Sequence, residues 1–379
     1  MKETVVILGA GYAGIGVAHK LLKYTKPKVN ELKVILVSST THHYWNIAAV
    51  RGVVPGGFAD EEMFHEIEPG FAHYDQDSFE FVLGTATGVD TTTSSVSVNT
   101  ANHVKNITYT HLIIATGSSY PSALPFTTIG TYDDSIAALH SLQQSVQAAK
   151  SIVIAGGGPT GVETAGELGY AYGDSKQISL IIQGDKPLPM LNPEVGKAAA
   201  MELEKLHVEI VGGVRVVTIS PVADQVSLTL SDGKTLLADL YLPLYGMRPN
   251  SRFLPAHLLD DRGNLKLDKN LRVAGQDNVW GAGDVGDREP KQLIYAERQA
   301  LHLAENLHSV LTGQAGDVKE LKPTVMPQVF VTVGKKKGTG QYSRVRIPSF
   351  VVSAAKGKTF FTEKASGLIA GKNIVRSSI

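Results

Sequence analysis

The stretch "VVILGAGYAG" at residues 5–14 decides the fold, because it recurs as "IVIAGGGPTG" at residues 152–161. In each copy a β-branched run gives way to G-x-G-x-x-G and then to a helical pattern. The first helix, "AGIGVAHKLLKY" (13–24), leads to the strand "LKVILV" (32–37); the second, "TGVETAGELGYAYG" (160–173), leads to "QISLII" (177–182). Both are βαβ units. Gly9 allows a tight strand-to-helix turn, Gly11 lets backbone amides approach a pyrophosphate at the helix N-terminus, and Gly14 permits close helix–strand packing. Gly156, Gly158 and Gly161 repeat these roles. One such motif is weak evidence; two in strand–turn–helix context imply an α/β protein with two dinucleotide-binding domains.

Other punctuation agrees. "THLIIATGSS" (110–119) is an apolar strand ending in the small Ala115-Thr116-Gly117 turn, and "LADLYLPLYGMRPN" (237–250), with Gly246, resembles it at the end of the second unit. "NVWGAGDVGD" (278–287) is a further apolar strand, and a helical pattern, "KQLIYAERQALHLAENLHSVL" (291–311), follows. Asp284 in that segment fits either a helix N-cap or a carboxylate holding a ribityl hydroxyl beside a helix dipole.

Bulk composition narrows the function. The chain has 379 residues, 43% hydrophobic and 19% charged, with 36 basic against 36 acidic side chains. Balanced charge gives no global field toward nucleic acid or an anionic membrane, so no nucleic-acid partner is expected. Lys335–Lys337 is the clearest basic run and reads as a solvated loop. There are no cysteines, which excludes disulfides, thiolate nucleophiles and Cys-ligated metals. No apolar run reaches the roughly 20 residues of a membrane span, and Lys2 stands where N-myristoylation would need Gly. A cytoplasmic location follows, with peripheral membrane contact left open. His42 and His43 lack a third ligand at helpful spacing, so no metal is expected; they read as loop histidines near a cofactor or in solvent.

In this order the two glycine motifs, Ala115-Thr116-Gly117 and Gly283-Asp284 resemble the two-dinucleotide-binding-domain flavoproteins, which are glutathione-reductase-like in fold. "HHYWNIAAVRG" (42–52), "GGGPTGVETAGEL" (156–168), "NPEVGKAAAMELEKLHVEI" (192–210), "YGMRPNSRFLP" (245–255) and "VGKKKGTGQ" (333–341) narrow the resemblance. They look most like the AMID-like, ferroptosis-suppressor-type NAD(P)H:quinone oxidoreductases, fungal members above all, relatives of apoptosis-inducing factor and type II NADH dehydrogenases. The resemblance implies FAD on the first unit and NAD(P)H on the second. It implies an FAD domain over 1–118 and 247–310, interrupted by a nicotinamide domain over 119–246, with residues 311–379 as a small α+β cap over the flavin. In the cap, "QVFVTV" (328–333), "RVRIPSFVVSAA" (344–355) and "KTFFTE" (358–363) read as strands.

The resemblance assigns roles as well. Gly9, Gly11 and Gly14 would hold the FAD pyrophosphate, Ala86 would face the adenine, Ala115 to Gly117 would line the cofactor and Asp284 would bind the ribityl or pyrophosphate region. Arg51 falls in the flavin-flanking segment where disulfide reductases carry cysteines; alternatively it pairs with a carboxylate of Asp60–Glu62. Glu163 matches a glutamate that contacts the nicotinamide carboxamide, although with Glu167 it also reads as an i, i+4 helix-surface pair. The helix carrying Ala296, Gln299 and Ala300 loosely resembles the quinone-side helix of type II dehydrogenases.

Three departures stand out. Ser38 occupies the place of the strand-end acid that would accept both ribose hydroxyls. Gln183 sits at the equivalent end of the second unit with Lys186 nearby, which settles neither NADH nor NADPH. The aromatic–Lys pair near the C-terminus of relatives has only Phe360, Phe361 and Lys364 as counterparts. The implied reaction is hydride transfer from NAD(P)H to flavin, then two electrons to a quinone-like or other small acceptor without a cysteine relay. A flavoenzyme acting on a dedicated specialised metabolite, and a signalling protein of the apoptosis-inducing-factor type, are the alternatives.

Overall fold

The computed structural model describes residues 2–324, 326–372 and 374. The two strands of the first glycine unit are the third and fourth of a five-stranded parallel sheet. Its order is Val279–Gly281, His111–Ile114, Glu3–Leu8, Leu32–Ser38, Phe79–Leu83. Val5 pairs with Val34 on one side and His111 on the other. Both faces of a parallel sheet are covered, so its strands read as unbroken apolar runs; Val5 to Leu8 and Val34 to Val37 are all buried. The Tyr12–Lys20 helix crosses to the second strand and packs on the long Leu293–Leu311 helix, where a Cβ on Gly16 would touch Ala300.

The second unit repeats the plan with four parallel strands ordered Val208–Val211, Gln177–Ile181, Ser151–Ala155, Leu240–Pro243. The Pro159–Tyr172 helix links the central pair. An antiparallel layer of Val216–Val222, Gln225–Leu230 and Thr235–Ala238 covers this sheet. Where the chain passes between the two units, Ser118–Ser119 pairs antiparallel with Arg248–Pro249.

The C-terminal segment opens on an antiparallel sheet of Gln328–Val333, Lys337–Tyr342 and Val345–Ile347. "QVFVTV" is a strand as read; "RVRIPSFVVSAA" is one only over Val345–Ile347, and "KTFFTE" is none. In "RVRIPSFVVSAA" the strand stops at Pro348, which caps the helical stretch Ser349–Gly357; a proline has no N–H for the ladder but starts a helix well. In "KTFFTE" Phe360 and Phe361 both take left-handed φ, +50° and +59°, which breaks any strand before the 3-10 turn Thr362–Lys364. The strand "KGTGQY" (337–342) escapes a pattern search because it carries glycines. A Cβ on Gly338 would press on Val352 Cγ1 at 2.6 Å and Val331 O at 2.7 Å.

Among the described residues, no helix is long and apolar enough to cross a membrane, and no three His, Asp or Glu side chains group as a metal site.

Candidate functional site

The first glycine loop is shaped by sterics. Gly9 takes φ +103°, and a Cβ there would stand 2.5 Å from Ala115 O; on Gly14 it would run into Gly9 O. Gly156 (φ +135°) and Gly161 repeat this against Leu244 O and Gly156 O. By contrast, a Cβ on Gly11, Gly117, Gly158 or Gly246 would meet nothing within 4 Å. Backbone therefore borders open space beside both loops, as a bound dinucleotide needs. Neither glycine-loop helix has an acidic residue in its first turn, which keeps both N-termini receptive to pyrophosphate.

The Ala115-Thr116-Gly117 turn is pinned from both sides. Ala115 N donates to Leu8 O at 2.8 Å, Thr116 Oγ1 donates to Asn250 O at 2.7 Å, and Asn250 Nδ2 donates to Thr116 O at 2.9 Å. Asp284 is half-buried and is no N-cap: Gln292 occupies that position of the long helix. Ser118 Oγ donates to Asp284 Oδ2 at 3.0 Å. Burial raises the Asp284 pKa, while Ser118 and Lys291 lower it. Gln299 belongs to the same corner, accepting from Gly283 N at 2.8 Å. Ala86 lies half-buried on the Thr85–Asp90 strand next to a register shift.

Ser38 makes a local closure instead of an open hydroxyl. Its Oγ donates to Thr40 O at 2.8 Å and accepts from Thr40 N at 3.3 Å. In the second unit the counterpart of Ser38 is Ile182, not Gln183. Gly9 N donates to Val37 O, Gly156 N donates to Ile181 O, and each following residue is thereby fixed in register. Gln183 lies one position further and is exposed.

Arg51, Glu163 and Glu167 converge with residues of the C-terminal segment that the sequence did not single out. Arg51 is 2% exposed and makes a bidentate pair with Glu167: Nε to Oε2 and Nη2 to Oε1, both 2.8 Å. It also donates to Gly357 O at 2.7 Å and Lys358 O at 3.0 Å. The partner is thus Glu167 and not Asp60–Glu62, and the two glutamates are buried, not a solvent-facing helix pair. Burial raises the Glu167 pKa, and Arg51 opposes that shift. Glu163 Oε1 accepts from Lys356 Nζ at 2.6 Å, Thr332 N at 2.9 Å and Thr332 Oγ1 at 3.2 Å.

Phe360 closes the arrangement. Its buried ring lies 4.6 Å from Arg51 Cζ and 5.3 Å from Lys356 Nζ, and Trp45 Nε1 donates to its carbonyl at 2.9 Å. Lys364 Nζ sits 4.6 Å over the Phe361 ring. Two buried carboxylates on the second glycine helix thus face two cations, one from each neighbouring part of the chain. His43, read as a loop histidine near a cofactor or in solvent, lies on the His42–Tyr44 strand and is not solvated: it is 2% exposed and bonds through Nδ1 to Ala10 O at 3.2 Å.

Comparison with known proteins supplies the family. Residues 3–300 match the pyridine nucleotide-disulphide oxidoreductases. Oxidoreductase ptaL of Pestalotiopsis fici is 39% identical over 97% of this chain and 98% of its own length. Ferroptosis suppressor protein 1 of Xenopus laevis is 29% identical over 95% and 94%. The sulfide:quinone oxidoreductase of Aquifex aeolicus shares the fold, with a TM-score of 0.80 at 16% identity over 99% and 93% of the two chains. Two glycine cradles, the pinned Ala-Thr-Gly turn and this kinship agree. The chain belongs to the pyridine nucleotide-disulphide oxidoreductases, among their ferroptosis-suppressor-like members, and is an FAD-dependent NAD(P)H oxidoreductase.

Proposed function

We propose that the chain passes electrons from NAD(P)H through FAD directly to a quinone-like acceptor, with no cysteine relay. One observation carries this reading: a member of a disulphide-reductase family contains no cysteine at all. Bound FAD supplies hydride acceptance and onward electron transfer. The protein supplies binding, orientation and charge.

In this reading Gly9, Gly11 and Gly14 hold the FAD pyrophosphate, Ala86 faces the adenine, Ala115 to Gly117 line the cofactor and Asp284 meets the ribityl region. Gly156, Gly158, Gly161 and Gly246 border the NAD(P)H site. Arg51 braces the flavin-flanking segment: Glu167 neutralises its guanidinium, and two backbone carbonyls tie it to the C-terminal segment. The protein donors to Glu163 all fall on Oε1, which offers Oε2 to the nicotinamide carboxamide. Ile182 at the strand end neither grips a 2′-hydroxyl nor repels a 2′-phosphate, so both NADH and NADPH serve. The domain limits proposed are 1–118 with 247–310, 119–246 and 311–379, in a cytoplasmic protein with peripheral membrane contact.

Anaerobic stopped-flow mixing with NADH and NADPH, followed by quinones or O2, tests the reading. The flavin should bleach with either nucleotide and recover its colour with a quinone. A flavin that stays oxidised sinks the proposal. One that bleaches but ignores every quinone favours the dedicated-substrate alternative.

A further inference from the structure

The side chain of Glu289 is closed off from solvent, on the loop between Asp284 and the Leu293–Leu311 helix. Its Oε1 accepts from Arg298 Nη2 and from Thr324 N, the latter at 3.0 Å. Its Oε2 accepts from Gln299 Nε2 at 3.1 Å. Gln299 is 2% exposed and turns its other end to Gly283, where Oε1 accepts from the backbone N–H at 2.8 Å.

Gly283 is the wedge of that corner. It takes φ +77°, and a Cβ there would stand 3.5 Å from the Cβ atoms of both Ala13 and Ala296. The turn is thus seated between the first glycine-loop helix and the long helix. One residue back, Ala282 N donates to Ile114 O at 3.1 Å. Directly after Gly283 comes Asp284, whose Oδ2 accepts from Ser118.

This run of bonds has a direction. A glutamine amide has one end that donates and one that accepts, whereas an ionised carboxylate only accepts. Glu289 therefore draws the nitrogen of Gln299 and leaves its oxygen for Gly283 N. With a neutral amide at position 289 that preference is lost. A flipped Gln299 would set N–H against N–H and leave a buried donor unpaired, which is costly. We propose that Glu289 is a positioning residue for the cofactor: acting through Gln299, its charge fixes the Gly283 peptide and with it the Asp284 carboxylate. This rests on the reading that Asp284 meets the ribityl region of FAD. Through Thr324 N the same carboxylate also ties the start of the C-terminal segment to that corner.

Apoprotein is titrated with FAD, following flavin fluorescence, for the wild type, Glu289→Gln, Gln299→Leu, Asp284→Asn and the exchanged pair Glu289→Gln/Gln299→Glu. Glu289→Gln and Gln299→Leu should each weaken FAD binding about tenfold. The exchanged pair moves the carboxylate to position 299, where it accepts from Gly283 N and from the amide now at 289. FAD affinity should then return to near the wild-type value, while the denaturation midpoint stays lowered because Arg298 has lost its ionic partner. Recovery of affinity without recovery of stability separates positioning from a merely structural ion pair. Should Glu289→Gln not fold, Gln299→Leu, which keeps the Arg298 pair, decides. Unchanged FAD affinity in the folded single variants, or an exchanged pair that binds as weakly as Glu289→Gln, overturns the proposal. Full FAD affinity in Asp284→Asn instead overturns the reading of Asp284, and a wild type that takes up no FAD overturns the cofactor assignment.

Discussion

Glu167 shows what a single buried carboxylate does here. Its two oxygens satisfy two donors of a guanidinium that is itself 2% exposed, so removing its charge strands Arg51 in a dry site. Breaking a buried pair from one side costs about 3 kcal/mol or more. Glu167→Gln should therefore lower the denaturant midpoint by a corresponding amount, and an unchanged midpoint would show that solvent reaches Arg51. The sequence marked Arg51 as a cation of the flavin-flanking segment, with pairing to a carboxylate of Asp60–Glu62 as the alternative. The true partner is 116 residues away, on the other glycine unit. Periodicity reports which face of an element is apolar; it carries no record of which distant polar groups that face meets. Lys356 and Thr332 were silent for the same reason, and the burial of His43 was not legible because it depends on Ala10 and Tyr12 folding over the ring.

At the scale of elements, the two βαβ units were legible because their demands are local. Tight turn, close packing and an anion-ready helix start all fall within ten residues of chain. The two units should also fail separately. Gly161→Ala would drive a methyl into Gly156 O, and overpacking of this kind costs about 1–3 kcal/mol. The purified variant should stay yellow, since the first loop is untouched, while its anaerobic reduction needs at least about tenfold more NAD(P)H. A colourless protein would mean that the second unit supports FAD as well. The C-terminal elements were less legible. Gly338 lies in a paired strand although glycine disfavours one, and Phe360 reads as a strand residue yet takes a left-handed backbone. In both cases tertiary contacts overrule local preference: Val352 and Val331 crowd the first, and Trp45, Arg51 and Lys356 hold the second.

Across the whole molecule, the first glycine-loop helix also grips the far end of the chain. His19 is fully buried, with Nε2 donating to Ile369 O at 2.7 Å and Nδ1 accepting from Tyr74 OH at 3.0 Å. Burial chiefly, with His73 and Lys23 adding to it, lowers its pKa from 6.5 to about 4. The unfolded chain therefore binds the proton more readily, and stability is complete above pH 6.5 and falls as pH drops toward 4. At about 1.4 kcal/mol per pH unit that loss reaches about 3 kcal/mol. His19→Gln should flatten the decline of the denaturation midpoint between pH 6.5 and 4; an unaltered slope would place its source elsewhere. The Arg51 contacts have a consequence for how the molecule is made. The carbonyl of Gly357 that Arg51 needs lies 306 residues downstream, so on the ribosome both glycine units are synthesised while this guanidinium still waits for half of its acceptors. The seam between the first unit, the second glycine helix and the Gly357–Lys358 carbonyls therefore closes only after both units have left the ribosome.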